Sequence, residues 1–190
     1  MEETPIYVDP NIEITSVAPI IRVLHLDDEE QQQMFLKVFV EGDPNIKVTS
    51  ARNAENTLEL VQTGAYDCLI SDYDMPDTDG ITLAKKIRET SDIPIIIYTG
   101  RGSEEVAEKA YSAGINDYIR KENHPAHYQV LAKRIRHAVE KRRDEEEVIR
   151  LATFPRLNPN PVVEVDLTGK IHYMNPAARA RATLRSTFSR

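Results

Sequence analysis

A chain of 190 residues, 41% apolar and 29% charged, can bury one full hydrophobic core and leave a smaller region beside it. Its formal charge of −7 argues against nucleic acid or an anionic membrane as the main partner, because both select a net basic face. The single cysteine excludes a disulfide framework and a cysteine-based zinc site, which fits a reducing, cytoplasmic setting. No apolar run reaches the length of about 18 residues needed to span a bilayer. The opening segment carries Glu2, Glu3, Asp9 and Glu13 where a signal peptide would be basic and then apolar.

Residues 1–19 contain Pro5, Pro10 and Pro19 without a sustained period and read as an N-terminal extension. The run from Ile20 to Leu26 is strand-like and stops at Asp27, Asp28, Glu29 and Glu30. Met34, Phe35, Val38 and Phe39 then recur at helical spacing until Gly42-Asp43-Pro44. Ile46 to Ala51 is a second strand, and Ala54 to Gln62 a helix with Asn53 as its N-cap and Gly64 as its stop. A third strand begins at Cys68, where a small buried hydrophobe is expected, and ends at Asp72 in an acidic loop, DYDMPDTDG. Ile81 to Arg88 makes the next helix, with Ile81, Leu83, Ala84 and Ile87 on its apolar side. Pro94 to Tyr98 is a continuous apolar run of the kind buried on both faces of a parallel sheet, and it ends at Thr99-Gly100. Ser103 caps a fourth helix with Glu104 and Glu105 in its first turn, Gly114 stops it, and Asp117 to Arg120 is a brief strand closed by Lys121. A last helix starts near Pro125 and runs to about Leu151.

Strands alternating with helices predict parallel strands joined by right-handed crossovers, a doubly wound three-layer α/β domain over residues 20–140. Such a sheet places all its strand ends on one edge, where ligands bind, and that edge would carry Asp27, Asp28, Asp72, Thr99 and Lys121. Three carboxylates gathered there repel one another unless a cation is present. Magnesium suits one or two carboxylates, a main-chain carbonyl and phosphoryl oxygens. Lys121 brings a point positive charge and Thr99 a hydroxyl donor for anionic phosphoryl oxygens, and Asp72 is the central carboxylate nucleophile. The implied reaction is phosphoryl transfer onto Asp72, giving an acyl phosphate that water later hydrolyses.

On these residues, with Tyr118 and Lys121 in DYIRK, residues 20–140 resemble the response-regulator receiver domain of two-component signalling. The resemblance implies a flavodoxin-like (βα)5 fold with strand order 2-1-3-4-5. It implies that Asp72 is the phosphoacceptor, supplied by the phosphohistidine of a sensor histidine kinase or by a phosphotransfer protein. Asp28 would ligate Mg2+ directly, Asp27 mainly through water, and Asp74 through its main-chain carbonyl, with Asp72 completing the metal-ligand set. Thr99 and Tyr118 would form the switch that re-shapes the fourth helix and fifth strand. The family usually has proline after the lysine, where Glu122 stands here, and it varies the positions of Asp74 and Arg101, which gate water access. The result is a signalling phosphoacceptor with self-catalysed chemistry, not a turnover enzyme.

Other readings stay open. Asp27 to Glu30 also suit an acidic N-cap and first turn. Calcium-loop spacing through Asp77, Asp79 and Gly80 would put Met75 and Lys86 at ligand positions, which excludes it. Asp72 and Asp74 share the Asp-x-Asp of haloacid-dehalogenase-type phosphohydrolases, although Pro76 stands where that pattern wants Thr or Val. A docking module that works without phosphorylation is the non-catalytic alternative.

Residues 141–154 read as a linker helix. Lys133, Arg134, Arg136, Lys141, Arg142 and Arg143 precede Asp144 to Glu147, the pattern of a solvated face with internal ion pairs more than of a DNA-contacting stripe. Leu131, Ile135, Ala138, Ile149 and Ala152 form a broken heptad, which points to a homodimer through this helix. Residues 155–190 are a small α+β tail. Val163, Val165 and Leu167 alternate before Thr168-Gly169, Ile171 and Tyr173 after it, and Asn175-Pro176 opens a helix. This segment resembles the opening of a PAS sensor domain without the later strands that close its pocket, so no ligand site is expected there. Arg179 to Arg190 are expected to fray.

Overall fold

A computed structural model describes residues 18–100, 104–122 and 124–187, with side chains to residue 182. Arg101, Ser103 and residues 1–17 of the N-terminal extension lie outside the described residues. The strands are β1 (Ile21–Leu26), β2 (Ile46–Ala51), β3 (Cys68–Ser71), β4 (Ile95–Thr99) and β5 (Asp117–Arg120), all parallel in the order β2-β1-β3-β4-β5. Between and after them run α1 (Glu30–Val40), α2 (Ala54–Gln62), α3 (Gly80–Arg88), α4 (Glu104–Ser112) and α5 (Pro125–Leu157). This is the doubly wound, flavodoxin-like arrangement that the alternating elements predict. A separate antiparallel pair, β6 (Val163–Val165) and β7 (Ile171–Met174), precedes α6 (Pro176–Thr187). The chain divides into two compact units, residues 1–132 and 133–190.

The sheet is buried on both faces, and alternation along each strand sorts its side chains between them. Leu24, Leu26, Leu69, Ile95 and Ile97 pack with Ile81, Leu83, Ala84 and Ile87 of α3 and with Ala110 of α4. Val23, His25, Cys68, Ile70, Ile96 and Tyr98 turn to the other face. Local chemistry sets the helix ends. Asn53 accepts a hydrogen bond from the Asn56 amide, Asp79 accepts one from Thr82, and Gly64 and Gly114 take φ of +68° and +80° after α2 and α4.

Three expectations differ from what is seen. The apolar stripe read in α1 is its outer face: Met34, Phe35, Val38 and Phe39 are 40–64% exposed, while Gln33, Leu36 and Val40 are buried. Gln33 is admitted to the interior because its amide donates to the carbonyls of Asp27 and Ala51, at 2.6 and 3.2 Å. α5 continues to Leu157, past Pro155, instead of stopping near Leu151. α6 stays helical to Thr187, within the stretch from Arg179 to Arg190 expected to fray, whose residues 188–190 lie outside the described residues.

Candidate functional site

β3 is buried along its whole length and delivers Asp72 to the carboxyl edge of the sheet. The Asp72 amide donates to the carbonyl of Leu26, the last residue of β1, at 2.9 Å, and the Ser71 hydroxyl donates to the Asp72 carbonyl at 2.8 Å. On the other side the Lys121 amide donates to the Thr99 carbonyl at 2.8 Å, which ties the ends of β4 and β5. Backbone bonds thus hold the strand ends in register before any side chain takes part.

The side chains of Asp27, Asp72 and Lys121 meet there. Lys121 Nζ donates to Asp72 Oδ2 at 2.6 Å and to Asp27 Oδ2 at 2.7 Å. The remaining oxygens accept main-chain bonds: Asp72 Oδ1 from Tyr73 at 2.6 Å and Asp74 at 3.3 Å, and Asp27 Oδ1 from Glu29 at 2.9 Å. Asp27 has no exposed surface and Asp72 only 8%, so one ammonium serves two carboxylates withdrawn from water. Burial pushes the Asp27 carboxyl above its ordinary range, and the Lys121 ammonium opposes it. Burial also works against the ammonium, but its hydrogen bonds to Asp27 and Asp72 outweigh that and raise the lysine.

The other sequence-predicted residues lie on or beside the same edge. Thr99 ends β4 and is buried, and Asp28 and Asp74 are exposed next to Asp27 and Asp72. Tyr118 is half-buried in β5, in register with Ile97. Its phenol is raised by burial first, then by the charges of Tyr73 and Asp72, against the pull of Arg120. Among the described residues, no three acidic, histidine or cysteine side chains are already gathered for a metal. Lys121 stands between the two buried carboxylates instead. As chemistry the donor set fits magnesium: Asp27, Asp28, Asp72 and the Asp74 carbonyl offer only hard oxygens.

Several residues of the site escape a pattern-based reading. His25 on β1 is 1% exposed, its Nε2 is 3.7 Å from Asp27 Oδ2, and neither ring nitrogen has a hydrogen-bond partner among the described residues. Burial, with the Lys121 charge adding and the Asp72 charge opposing, pushes its pKa down to about 3, so the ring is neutral. Its period-two spacing with Val23 and Asp27 was the available signal. Gly80 is required by space: a Cβ there would overlap the Asp72 carbonyl oxygen and lie 2.9 Å from Ile97 Cδ1. Tyr98 lies beside Lys121, its ring centroid 5.8 Å from Nζ.

Comparison with known proteins agrees with this architecture. The family model described as the response regulator receiver domain matches residues 23–136, more than half of the chain. The transcriptional regulatory protein SrrA of Staphylococcus aureus is 33% identical over 97 residues, which is 51% of this chain and 40% of that protein. The chain therefore matches well under half the length of this curated relative. A two-component response regulator from Clostridium difficile superposes with a TM-score of 0.56 at 26% identity, covering 62% of this chain and 96% of that one. The receiver domain of the Francisella response regulator 1452 gives 0.58 at 29%, over 64% and 98%. The beryllofluoride-activated NtrC4 receiver domain dimer gives 0.57 at 28%, over 63% and 97%. With the five-stranded order, the edge on which Asp27, Asp72 and Lys121 meet, and a family match across both, the chain belongs to the response regulator receiver domain family.

Proposed function

We propose that this chain is a phosphoacceptor in a two-component phosphorelay, and that Asp72 receives the phosphoryl group from a sensor histidine kinase or a phosphotransfer protein. The observation that carries this reading is the Lys121 ammonium held on both Asp27 and Asp72 at the carboxyl edge of the sheet. In the transfer, an Asp72 carboxylate oxygen forms the new bond to phosphorus as the phosphorus–nitrogen bond of the donor phosphohistidine breaks. Water later cleaves the acyl phosphate. The Tyr73 and Asp74 amides orient the Asp72 carboxylate, and Lys121 supplies the positive charge for the phosphoryl oxygens. Asp28 directly, Asp27 mainly through water, Asp72 and the Asp74 carbonyl would hold Mg2+, which when bound neutralises charge on the phosphoryl oxygens. The Thr99 hydroxyl and the Tyr118 ring are the switch.

Residues 20–140 form the receiver, after an extension at 1–19, and residues 141–154 form the linker helix that passes its state to a PAS-like segment at 155–190. Leu131 and Ile135 are buried, whereas Val148, Ile149, Leu151 and Phe154 are 60–67% exposed, so a homodimer would use this later stretch of α5. Sedimentation showing a monomer at micromolar concentration, with and without an acyl-phosphate mimic, rejects the dimer. We place the protein in the cytoplasm, with no nucleic-acid or membrane partner. Among the described residues no helix is long and apolar enough to cross a membrane.

The deciding experiment incubates the chain with acetyl phosphate and magnesium and reads intact mass. The wild type should gain one phosphoryl group and Asp72→Ala none. A wild type that stays unmodified, or an Asp72→Ala protein that is modified equally, rejects the assignment.

A further inference from the structure

We propose that Tyr98 is a positioning residue for Lys121: its ring, beside the ammonium and packed against His127 and Tyr128 in the first turn of α5, holds the ammonium on the Asp27–Asp72 pair. This rests on the phosphoacceptor reading above and extends it to a residue with no assigned part.

An ammonium has three donors, and Lys121 uses two of them on Asp27 and Asp72. The Tyr98 ring lies beside it, 2% exposed, with its centroid 5.8 Å from Nζ, within the range in which an aromatic face attracts a cation. The ring is itself held by aromatic neighbours. It stacks on His127 with centroids 5.7 Å apart and planes 17° apart, and it meets Tyr128 edge-on at 6.5 Å. Tyr128 in turn stacks on Phe39 of α1 at 4.9 Å and 15°. Glu122, directly after Lys121, has its Oε2 3.8 Å from His127 Nδ1, so the loop that carries the lysine approaches the same helical turn.

A flexible four-carbon stem does not stay in one place unless its surroundings remove the other rotamers. The hydrogen bond from the Lys121 amide to the Thr99 carbonyl fixes the backbone at this position, but Glu122 follows without the fixed φ that a proline ring would impose, and neither sets the rotamers of the lysine stem. Packing against Tyr98 restricts those. The apolar ring also shields one side of the ammonium from water, which strengthens its hold on the two carboxylates.

The test measures phosphorylation of the full chain by acetyl phosphate in magnesium buffer, as the rate constant at saturating donor. Tyr98→Leu should slow it about three- to thirty-fold, the factor that corresponds to a buried cation–π contact, and Tyr98→Phe should recover most of the rate. Tyr98→Leu combined with Lys121→Ala should be no slower than Lys121→Ala alone, because the ring acts through the lysine. A wild-type rate in Tyr98→Leu, or losses that multiply in the double variant, overturns the proposal. An independent reading needs no variant to fold: the Lys121 ε-methylene proton signals of the wild type should be displaced upfield by the ring, and undisplaced signals overturn the proposal. A wild-type chain that takes up no phosphate refutes the phosphoacceptor reading, and the ε-methylene signals then decide the Tyr98–Lys121 contact separately.

Discussion

Replacing Gly80 by alanine tests whether the site depends on the close approach of α3 to the end of β3. In an ordinary helix position the change stabilises by about 1 kcal/mol, because glycine has more backbone freedom to lose. Here the added Cβ would overlap the Asp72 carbonyl oxygen, lie 2.9 Å from Ile97 Cδ1 and 3.2 Å from Ser71 Oγ. None of the three yields easily. The Asp72 carbonyl is backbone and accepts the Ser71 hydroxyl, Ile97 is fully buried in β4, and the Gly80 amide donates to the Tyr73 carbonyl at 3.0 Å. Overpacking of this kind costs about 1–3 kcal/mol, which cancels or outweighs the propensity gain and leaves a net loss of up to about 2 kcal/mol. The displacement falls on Asp72 itself, so phosphorylation should slow by about ten- to a hundredfold, as expected when a reacting group moves by a large fraction of an ångström. Urea denaturation gives the first quantity and intact-mass kinetics with acetyl phosphate the second. Gly100→Ala is the stability control, since a Cβ there meets nothing within 4 Å. A Gly80→Ala protein that unfolds at or above the wild-type urea midpoint and is phosphorylated at the wild-type rate would refute the reasoning.

Asp79→Ala should cost about 1 kcal/mol in urea denaturation, because its carboxylate caps α3 through the Thr82 amide and hydroxyl at 2.8 and 2.7 Å. Burial works against that carboxylate, but these hydrogen bonds outweigh it and lower its pKa, so on acidification the unfolded chain takes the proton first. The stability advantage of wild type over Asp79→Ala is therefore complete above the unfolded value of 3.8 and shrinks as pH falls through the lower folded value; an advantage that grows on acidification contradicts the sign. Asn175→Ala should release the tail: the side-chain amide donates to the carbonyls of Pro155, Asn158 and Asn160 and accepts from the amides of Val162 and Ala178. Its loss leaves several groups unsatisfied at a cost of about 3 kcal/mol or more, visible as faster amide exchange at Val162 and Ala178 while β1 to β5 keep their protection. Chelation of magnesium should stop acyl-phosphate formation. By linkage, beryllofluoride on Asp72 should tighten magnesium binding at least about fivefold in calorimetric titration, and equal affinities with and without it would disprove the coupling.

Elements with strong punctuation were legible from the residues alone. The bounds of β2, α2 and β5 agree with the reading because Asn53, Gly64 and Gly114 mark helix ends by chemistry that acts locally. The parallel order followed from alternation of strand and helix, and with it the common edge where Asp27, Asp72 and Lys121 meet. What hydrophobic periodicity misjudged was the orientation of α1. Four large apolar residues outvote one glutamine in any count, yet Gln33 is inside because two strand-end carbonyls need its amide. His25 and Tyr98 escaped for a related reason. Each looks like an ordinary strand residue, and its importance comes from neighbours distant in sequence: Asp27 and Lys121 around the imidazole, Lys121 and His127 around the phenol. The charged stretch of α5 was the simpler case, since Arg142–Glu146 at 2.9 Å and Arg150–Glu147 at 2.7 Å are helical neighbours whose pairing spacing alone predicts.

The balance of charge explains why this edge is poised rather than merely acidic. Two carboxylates and one ammonium leave the buried set one negative charge in excess, and exposed Asp28 and Asp74 add to the local field. On the proposed reading, a phosphoryl group on Asp72 replaces a single carboxylate charge by about −1.5 to −2, in a place with little water to screen it. Lys121 answers that increase only in part while one of its two carboxylate hydrogen bonds is spent on Asp27. Either the ammonium leaves Asp27 for the phosphoryl oxygens or another cation takes over Asp27, and the first move makes the second favourable, because it strips a buried carboxylate of its partner. On that reading, sharing one lysine between two aspartates would couple phosphoryl uptake to divalent-cation binding through charge alone, before any rearrangement of Thr99 or Tyr118. The same sharing would make the position of the Lys121 ammonium, and hence of the aromatic ring beside it, the quantity on which the response of the site turns.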